Sequence, residues 1–345
     1  MNATNCTNCS DLSFETPETA MYLVVYKTLY LYILPIIVFV GLFGNLMSIY
    51  LIVVDKPMRN VSSSIFLMSL LGADTGMLLC LLLVWLETLG YPLNHLPAVC
   101  RINVYLTYVC GFLSIWYVVC ITVETFITIC YPTKIKQMCT LFRARIVTLV
   151  LLITALGLYV IAPLINKVQE GETGRPECRS VDKYAKYNQV IFYTDSALTL
   201  VVPFFLLIIL LAFMTVAIMQ SIQKKQQRSL KKTNENGTQT NLIRRLPQVR
   251  VAKMLYILSV SVVFLNAPSH FFKLKSLITN ANILGYTEGL IYLICMFISY
   301  TSFAIKFFIC IACSKNFRKL FFMYCCCWQA GRYHSIPQQT METAT

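Results

Sequence analysis

The chain has 345 residues, 57% of them hydrophobic and 13% charged, with a mean hydropathy of +0.65 and a formal net charge of +14. A chain this apolar cannot cover itself in water, so a soluble domain is excluded and a membrane protein is expected. His95, His270 and His334 are its only histidines and show no metal-ligand spacing, so neither an enzyme, a metal site nor a cofactor is expected.

Residues 1–28 are expected to form an extracellular segment. The first 20 are polar, with Asp11, Glu15 and Glu18, and hold no apolar core of a cleavable signal, so the first span is expected to direct insertion. The stretch NATNCTNCS offers glycosylation acceptors at Asn2, Asn5 and Asn8, too crowded for all three to be used. Asn60 and Asn236 also head sequons but fall in loops expected to be cytoplasmic. Cys6 and Cys9 either pair with each other or with nothing.

A membrane core of roughly 30 Å needs about 20 apolar residues per helix. Seven such runs follow, at residues 29–54, 63–89, 99–131, 146–165, 190–220, 251–272 and 286–313. Together they predict one all-α domain over 29–313, a bundle of seven transmembrane helices. With the amino terminus outside, the inner loops and tail hold 19 Lys and Arg against nine in the outer segments, as the positive-inside rule requires. The excess charge therefore marks a basic cytoplasmic face that suits anionic membrane lipid and does not imply nucleic acid.

Two cysteines stand apart from the many within spans. Cys100 opens the third span on its outer side and Cys178 lies in the outer loop GETGRPECRSVDKY, so a bridge between them would tie that loop over the bundle mouth. In the tail, 314–345, the stretch SKNFRKLFFMY sets Phe and Leu against Lys and Arg and is followed by CCCW. That order predicts a short amphipathic interfacial helix anchored by palmitoylation of Cys325, Cys326 or Cys327, with an unmodified cysteine cluster as the alternative.

These features resemble the rhodopsin-like family of G protein-coupled receptors, over about residues 29–323. GLFGN places Asn45 in span 1, SLLGAD places Asp74 in span 2, and Pro203 and Pro268 stand at the proline positions of spans 5 and 6. Cys100 lies 24 residues before Glu124, the family's spacing from its bridge cysteine to the acidic residue at the inner end of span 3. SFAIKFFICIACSKNFRK, with Phe307 where most relatives carry Pro, is similar to invertebrate receptors for FMRFamide-like neuropeptides. The resemblance implies a multi-pass plasma-membrane receptor with a heterotrimeric G protein or arrestin as its cytoplasmic partner.

It also narrows the ligand. Amine receptors of this family hold an ammonium with an aspartate where this chain has Thr107, and opsins attach retinal to a lysine where it has Tyr300. The outer face instead mixes both charge signs with aromatic platforms, which suits a peptide. Candidate contacts are Glu87, Arg101, Thr107, Tyr108, Asp195, His270, Phe271, Glu288 and Tyr292, with Lys273 among the neighbouring charges. Many of these are ordinary loop charges or packing residues taken singly, and His270 is either a contact or a hydrogen-bonded packing residue.

Departures from the family are concentrated at its switch. Thr125 stands in place of the arginine after Glu124, Leu211 and Cys310 replace tyrosines of spans 5 and 7, and Asn266 and Val262 replace a Trp and a Phe of span 6. Relatives line a sodium site with the span 2 aspartate, a span 3 serine and a span 7 asparagine, here Asp74, Ser114 and Lys306. A lone lysine in a membrane interior needs a partner. Lys306 is therefore expected to replace the ion and pair with Asp74, the alternative being that it snorkels inward. Glu124, without its arginine, is expected to be protonated or to bond Thr125, Lys134, Arg143 or Arg145. Two functions follow: a signalling peptide receptor, or a binding or trafficking receptor of the same fold without conventional G protein activation.

Overall fold

The computed structural model describes residues 17–170, 176–231, 247–279 and 286–326. Asn2, Asn5, Asn8, Cys6, Cys9, Arg175 and Cys327 lie outside the described residues, and the side chains of Cys325 and Cys326 are likewise not described. Among the described residues, seven helices are long and apolar enough to cross a membrane: Ala20–Val54, Ser62–Thr88, Pro97–Cys130, Leu141–Ile165, Ala185–Gln223, Val251–Lys275 and Thr287–Ala304, here spans 1 to 7. Helix is the form that satisfies every backbone polar group within one segment, which hydrocarbon demands. Local residues set the ends. Asp55 stops span 1 and accepts from the Met58 amide at 3.1 Å, Pro97 opens span 3, and Thr140 caps span 4 by accepting from the Arg143 amide at 3.4 Å.

Several boundaries differ from the sequence reading. Helix already runs from Pro17 to Thr28, inside the segment expected to be an extracellular tail. Tyr22, Tyr26 and Tyr30 recur there at helical spacing and stack in series, and Tyr30 meets Phe297 of span 7 edge-on at 5.1 Å. That packing extends helix 1 beyond its apolar run. Span 4 starts at Leu141, directly after its Thr140 cap, and not at 146. Among the described residues there is also one hairpin, β1 (Asn166–Glu170) against β2 (Pro176–Ser180), which the all-α reading did not contain. β2 carries Cys178, bonded to Cys100 with their Cα atoms 5.7 Å apart, so the outer loop is fixed to the top of span 3. The end bearing this disulfide is called outer below.

Span 3 is the axis of the bundle, in contact with spans 2, 4, 5 and 6. An inner core gathers Tyr117, Ile121, Leu258 and Cys310 around it, while an outer core joins Leu34, Val38, Leu78, Phe297 and Ala304 of spans 1, 2 and 7. Gly41 permits the second: a Cβ there would stand 2.6 Å from Leu78 Cδ1 and 3.0 Å from Ala304 Cβ. Two wide helical turns, Leu29–Ile33 and Ser196–Val201, interrupt spans 1 and 5. Such turns disturb the regular carbonyl ladder. Each is met by an indole: Trp85 Nε1 donates to the Leu31 carbonyl at 3.4 Å, and Trp116 Nε1 to that of Leu198 at 3.0 Å.

Span 7 breaks at Ile305 and resumes as Lys306–Cys313, followed by the helix Lys315–Cys326. Phe307 takes the place of the family's proline and lies within 6.3 Å, ring to ring, of Phe43, Phe317 and Phe321. One aromatic cluster thus joins span 1, span 7 and the final helix.

Candidate functional site

A cavity of about 390 Å³ opens within the outer half of the bundle, between spans 2, 3, 5, 6 and 7. Thr107, Tyr108, Asp195 and His270, all expected as contacts, line it together with Lys273. Tyr292 lines an adjoining space. The other expected contacts do not reach it. Glu87 accepts from Asn94 Nδ2 at 2.8 Å and lies 3.4 Å from His95, Glu288 pairs with Lys275 at 2.7 Å, Arg101 is exposed, and Phe271 is 66% exposed. Helical phase explains this division: each of these four turns its side chain away from the bundle axis or finds a partner at the rim.

Asp195 is held from behind. Tyr159 of span 4 donates to its Oδ1 at 2.6 Å, and the Tyr159 ring stacks on Tyr108 with centroids 5.2 Å apart. Sequence reasoning missed Tyr159, whose only signal was a polar group near the outer end of an apolar span. It also passed over Thr199, Ser269 and Ser299. Ser269 and Ser299 share a hydrogen bond of 2.6 Å between spans 6 and 7, beside the turn that Pro268 deprives of a backbone donor. Lys273 and Asp195 face the same cavity without coming within 4 Å of each other, since the ion pairs among the described residues lie elsewhere. The cavity therefore offers one anion and one cation to an occupant.

Its floor is the charged centre of the molecule. Lys306 Nζ lies 2.5 Å from Asp74 Oδ2, donates to the Ser302 carbonyl at 2.7 Å and sits 5.6 Å from the Phe303 ring centroid. Ser114 donates to Asp74 Oδ1 at 2.6 Å. Both charged side chains are at most 1% exposed. Asn45 stands one step away, donating to the Phe303 carbonyl at 3.1 Å, just before the break in span 7. Lys306 points across the bundle and does not snorkel.

The inner end of span 3 is organised differently from the expectation. Glu124 is buried and accepts from the Ser62 hydroxyl, with Ser63 and Cys139 also against it. Among the described residues no Lys or Arg pairs with it. Ser62 and Ser63 open span 2 and turn hydroxyls toward the carboxyl, whereas Arg143 and Arg145 face outward and Lys134 lies over the Tyr131 ring at 5.7 Å. Nor does Thr125 serve Glu124: its hydroxyl donates to the Ile121 carbonyl of its own helix at 2.7 Å. Two hydroxyl-to-hydroxyl bonds among the described residues also cross between helices here, Thr122 to Ser259 at 2.8 Å and Thr215 with Tyr256 at 2.7 Å. They link span 6 to spans 3 and 5.

Residues 44–309, which include the cavity, its floor and this inner end, match the family described as 7 transmembrane receptor (rhodopsin family). The chain belongs to that family. This member is similar to a neuromedin U receptor homolog of Caenorhabditis elegans, 27% identical over 157 residues, which are 45% of this chain and 36% of the relative. It is also similar to lysophosphatidic acid receptor 6 of mouse and of human, in each case 29% identical over 132 residues, 38% of either chain. The chain thus matches little more than a third of the length of these curated relatives.

Proposed function

We propose that this rhodopsin-family receptor binds one end of an extracellular peptide in the outer cavity and passes the resulting change to a heterotrimeric G protein or arrestin at its inner face. The observation that carries the reading is the placement of Asp195 and Lys273, opposite charges that line one cavity with more than 4 Å between them. A peptide terminus presents donors and acceptors together, whereas a phosphate headgroup such as the one named for the lysophosphatidic acid receptors would meet Asp195 as a like charge. The neuromedin U receptor relative supports the same choice. An amidated end of the FMRFamide-like kind supplies amide donors for Asp195 and a carbonyl for Lys273, so such peptides are the first probes.

Topology follows the disulfide. Bridges persist in oxidising surroundings, which supports an outer, extracellular placement of the Cys100–Cys178 end and of the amino terminus, in a plasma-membrane setting. Glycans on Asn2, Asn5 and Asn8 and acyl chains on Cys325, Cys326 or Cys327 belong to the same reading, and mass spectrometry of the native protein reads both.

A second reading has its own support. Thr125, Leu211 and Cys310 are all buried where relatives carry the residues of their switch, and the Thr125 hydroxyl bonds the Ile121 carbonyl of its own helix. A receptor built this way captures or traffics ligand without conventional G protein activation. One experiment separates the two: a library of amidated and free-acid neuropeptides is screened in parallel for labelled binding and for G protein dissociation. Binding with dissociation is expected, with Asp195→Asn and Lys273→Met each weakening binding on the order of tenfold to a hundredfold, as for lost charge-assisted hydrogen bonds. Binding without dissociation favours the second reading, and a response to lysophospholipid alone overturns the peptide.

A further inference from the structure

The outer cavity is divided. Its deep lobe descends past Gly111 and Met296 to Ser114, Asn266, Ser302 and Lys306, and an adjoining side lobe of about 190 Å³ lies between spans 5, 6 and 7, walled by Phe192, Ser196, Leu200, Phe272 and Tyr292. The lobes share four residues, Asp195, Thr199, His270 and Lys273, all polar. Beyond this neck the side lobe is closed mainly by aromatic and aliphatic groups. At the neck itself, Nδ1 of His270 is buried without a hydrogen-bond partner among the described residues, while its ring is fixed edge-on to Phe204 at 5.6 Å. A buried imidazole nitrogen left unmatched is a place where a ligand atom completes the structure.

Two small residues determine how much room each lobe offers. A Cβ added at Gly111 would meet nothing within 4 Å, so the missing side chain is itself cavity space. Ser196 opens the wide turn of span 5 and faces the side lobe alone. Successive side chains of an extended peptide point in opposite directions. A short peptide end laid across the neck would therefore send one side chain each way.

Resting on the peptide reading above, we propose that the ligand straddles the neck: its backbone lies against Asp195, His270 and Lys273, and two adjacent side chains enter the two lobes, an apolar one the side lobe and one with a polar tip the deep lobe. Gly111 and Ser196 are the specificity-determining residues, each setting the size accepted by one lobe.

The test uses full-length receptor in lipid nanodiscs and a positional-scanning library of amidated and free-acid tetrapeptides, read by thermal stabilisation and by competition between library members. Wild type should select bulky residues at two adjacent positions, an apolar one for the side lobe and one with a polar tip for the deep lobe. Gly111→Val should lose at least tenfold in affinity for a bulky residue at one of them and keep the preference at the other, and Ser196→Phe should do the converse. Gly111→Ala and Ser196→Val, smaller changes, carry the same comparison if the larger ones fail to fold. The proposal is overturned if both variants alter the same position, if neither alters either, or if one bulky residue binds as well as two. Absence of stabilisation by every peptide overturns the peptide reading itself, a distinct result.

Discussion

An ammonium group inside a membrane persists only where its charge is answered locally, and Lys306 is answered by a carboxylate, a backbone carbonyl and an aromatic face. Removing one charge of such a buried pair strands the other, at a cost of about 3–5 kcal/mol, whereas removing both is far milder. Lys306→Met and Asp74→Asn are each expected to cut the yield of folded receptor and lower its melting temperature, and the double variant to recover most of the loss. Equal damage from the double and the worse single variant would show that the pair is not coupled. Because the lysine fills the space beside Asp74 and Ser114, peptide affinity should be the same in sodium and in N-methylglucamine buffers. The family resemblance set these two partners side by side, at the positions that line the sodium site of relatives, and a lysine stranded in an apolar run needed a partner. Sequence could not point to Tyr159 and Asp195, whose meeting depends on how spans 4 and 5 are rotated. Cys139, in the short inner connection between spans 3 and 4, shows the same kind of coupling: burial first and the neighbouring Glu124 charge second push its thiol up to about 11. It stays protonated at neutral pH and should react with iodoacetamide much more slowly than an ordinary thiol, accelerating only as pH climbs toward that value.

Between elements, hydroxyl bonds join the inner parts of the spans. Thr122 of span 3 reaches Ser259 of span 6, and both are fully buried. Exchanging them together, Thr122→Val with Ser259→Ala, removes both polar partners without leaving either unpaired, so folding should survive. The link between the spans should not. On the signalling reading, basal G protein dissociation is expected to rise in cells expressing the double variant, and an unchanged basal signal in a receptor that does dissociate G protein on binding peptide would mean that the bond does not hold the two spans together. The spans themselves were legible from hydropathy, since length and apolarity are all that a membrane asks of a helix. Their ends were less so. Span 1 extends outward on a tyrosine ladder that packs on span 7, a tertiary cause that no window of hydropathy reports. The partners offered for Glu124, though not its protonated alternative, missed for a related reason: nearby positive residues look like partners in sequence, but the opening serines of span 2 meet it in space.

Across the whole molecule, one covalent bond joins hairpin β1–β2 to the top of span 3, 78 residues away in sequence. Cys100→Ala or Cys178→Ala should free the hairpin from that helix and reduce surface expression and ligand affinity together, read by antibody labelling of intact cells beside labelled binding. Retained affinity in the surface-expressed fraction would confine the bridge to a folding role. At the same scale, the indole contacts at the two wide turns have a use of their own. The chain has three tryptophans, and Trp328 lies outside the described residues. Replacing Trp85 and Trp328 by Phe leaves Trp116 as the sole emitter, with its N–H on the Leu198 carbonyl two residues beyond Ser196. Light from that one ring would then follow the separation of spans 3 and 5 as the neighbouring cavity fills, giving an optical record of occupancy without any attached dye.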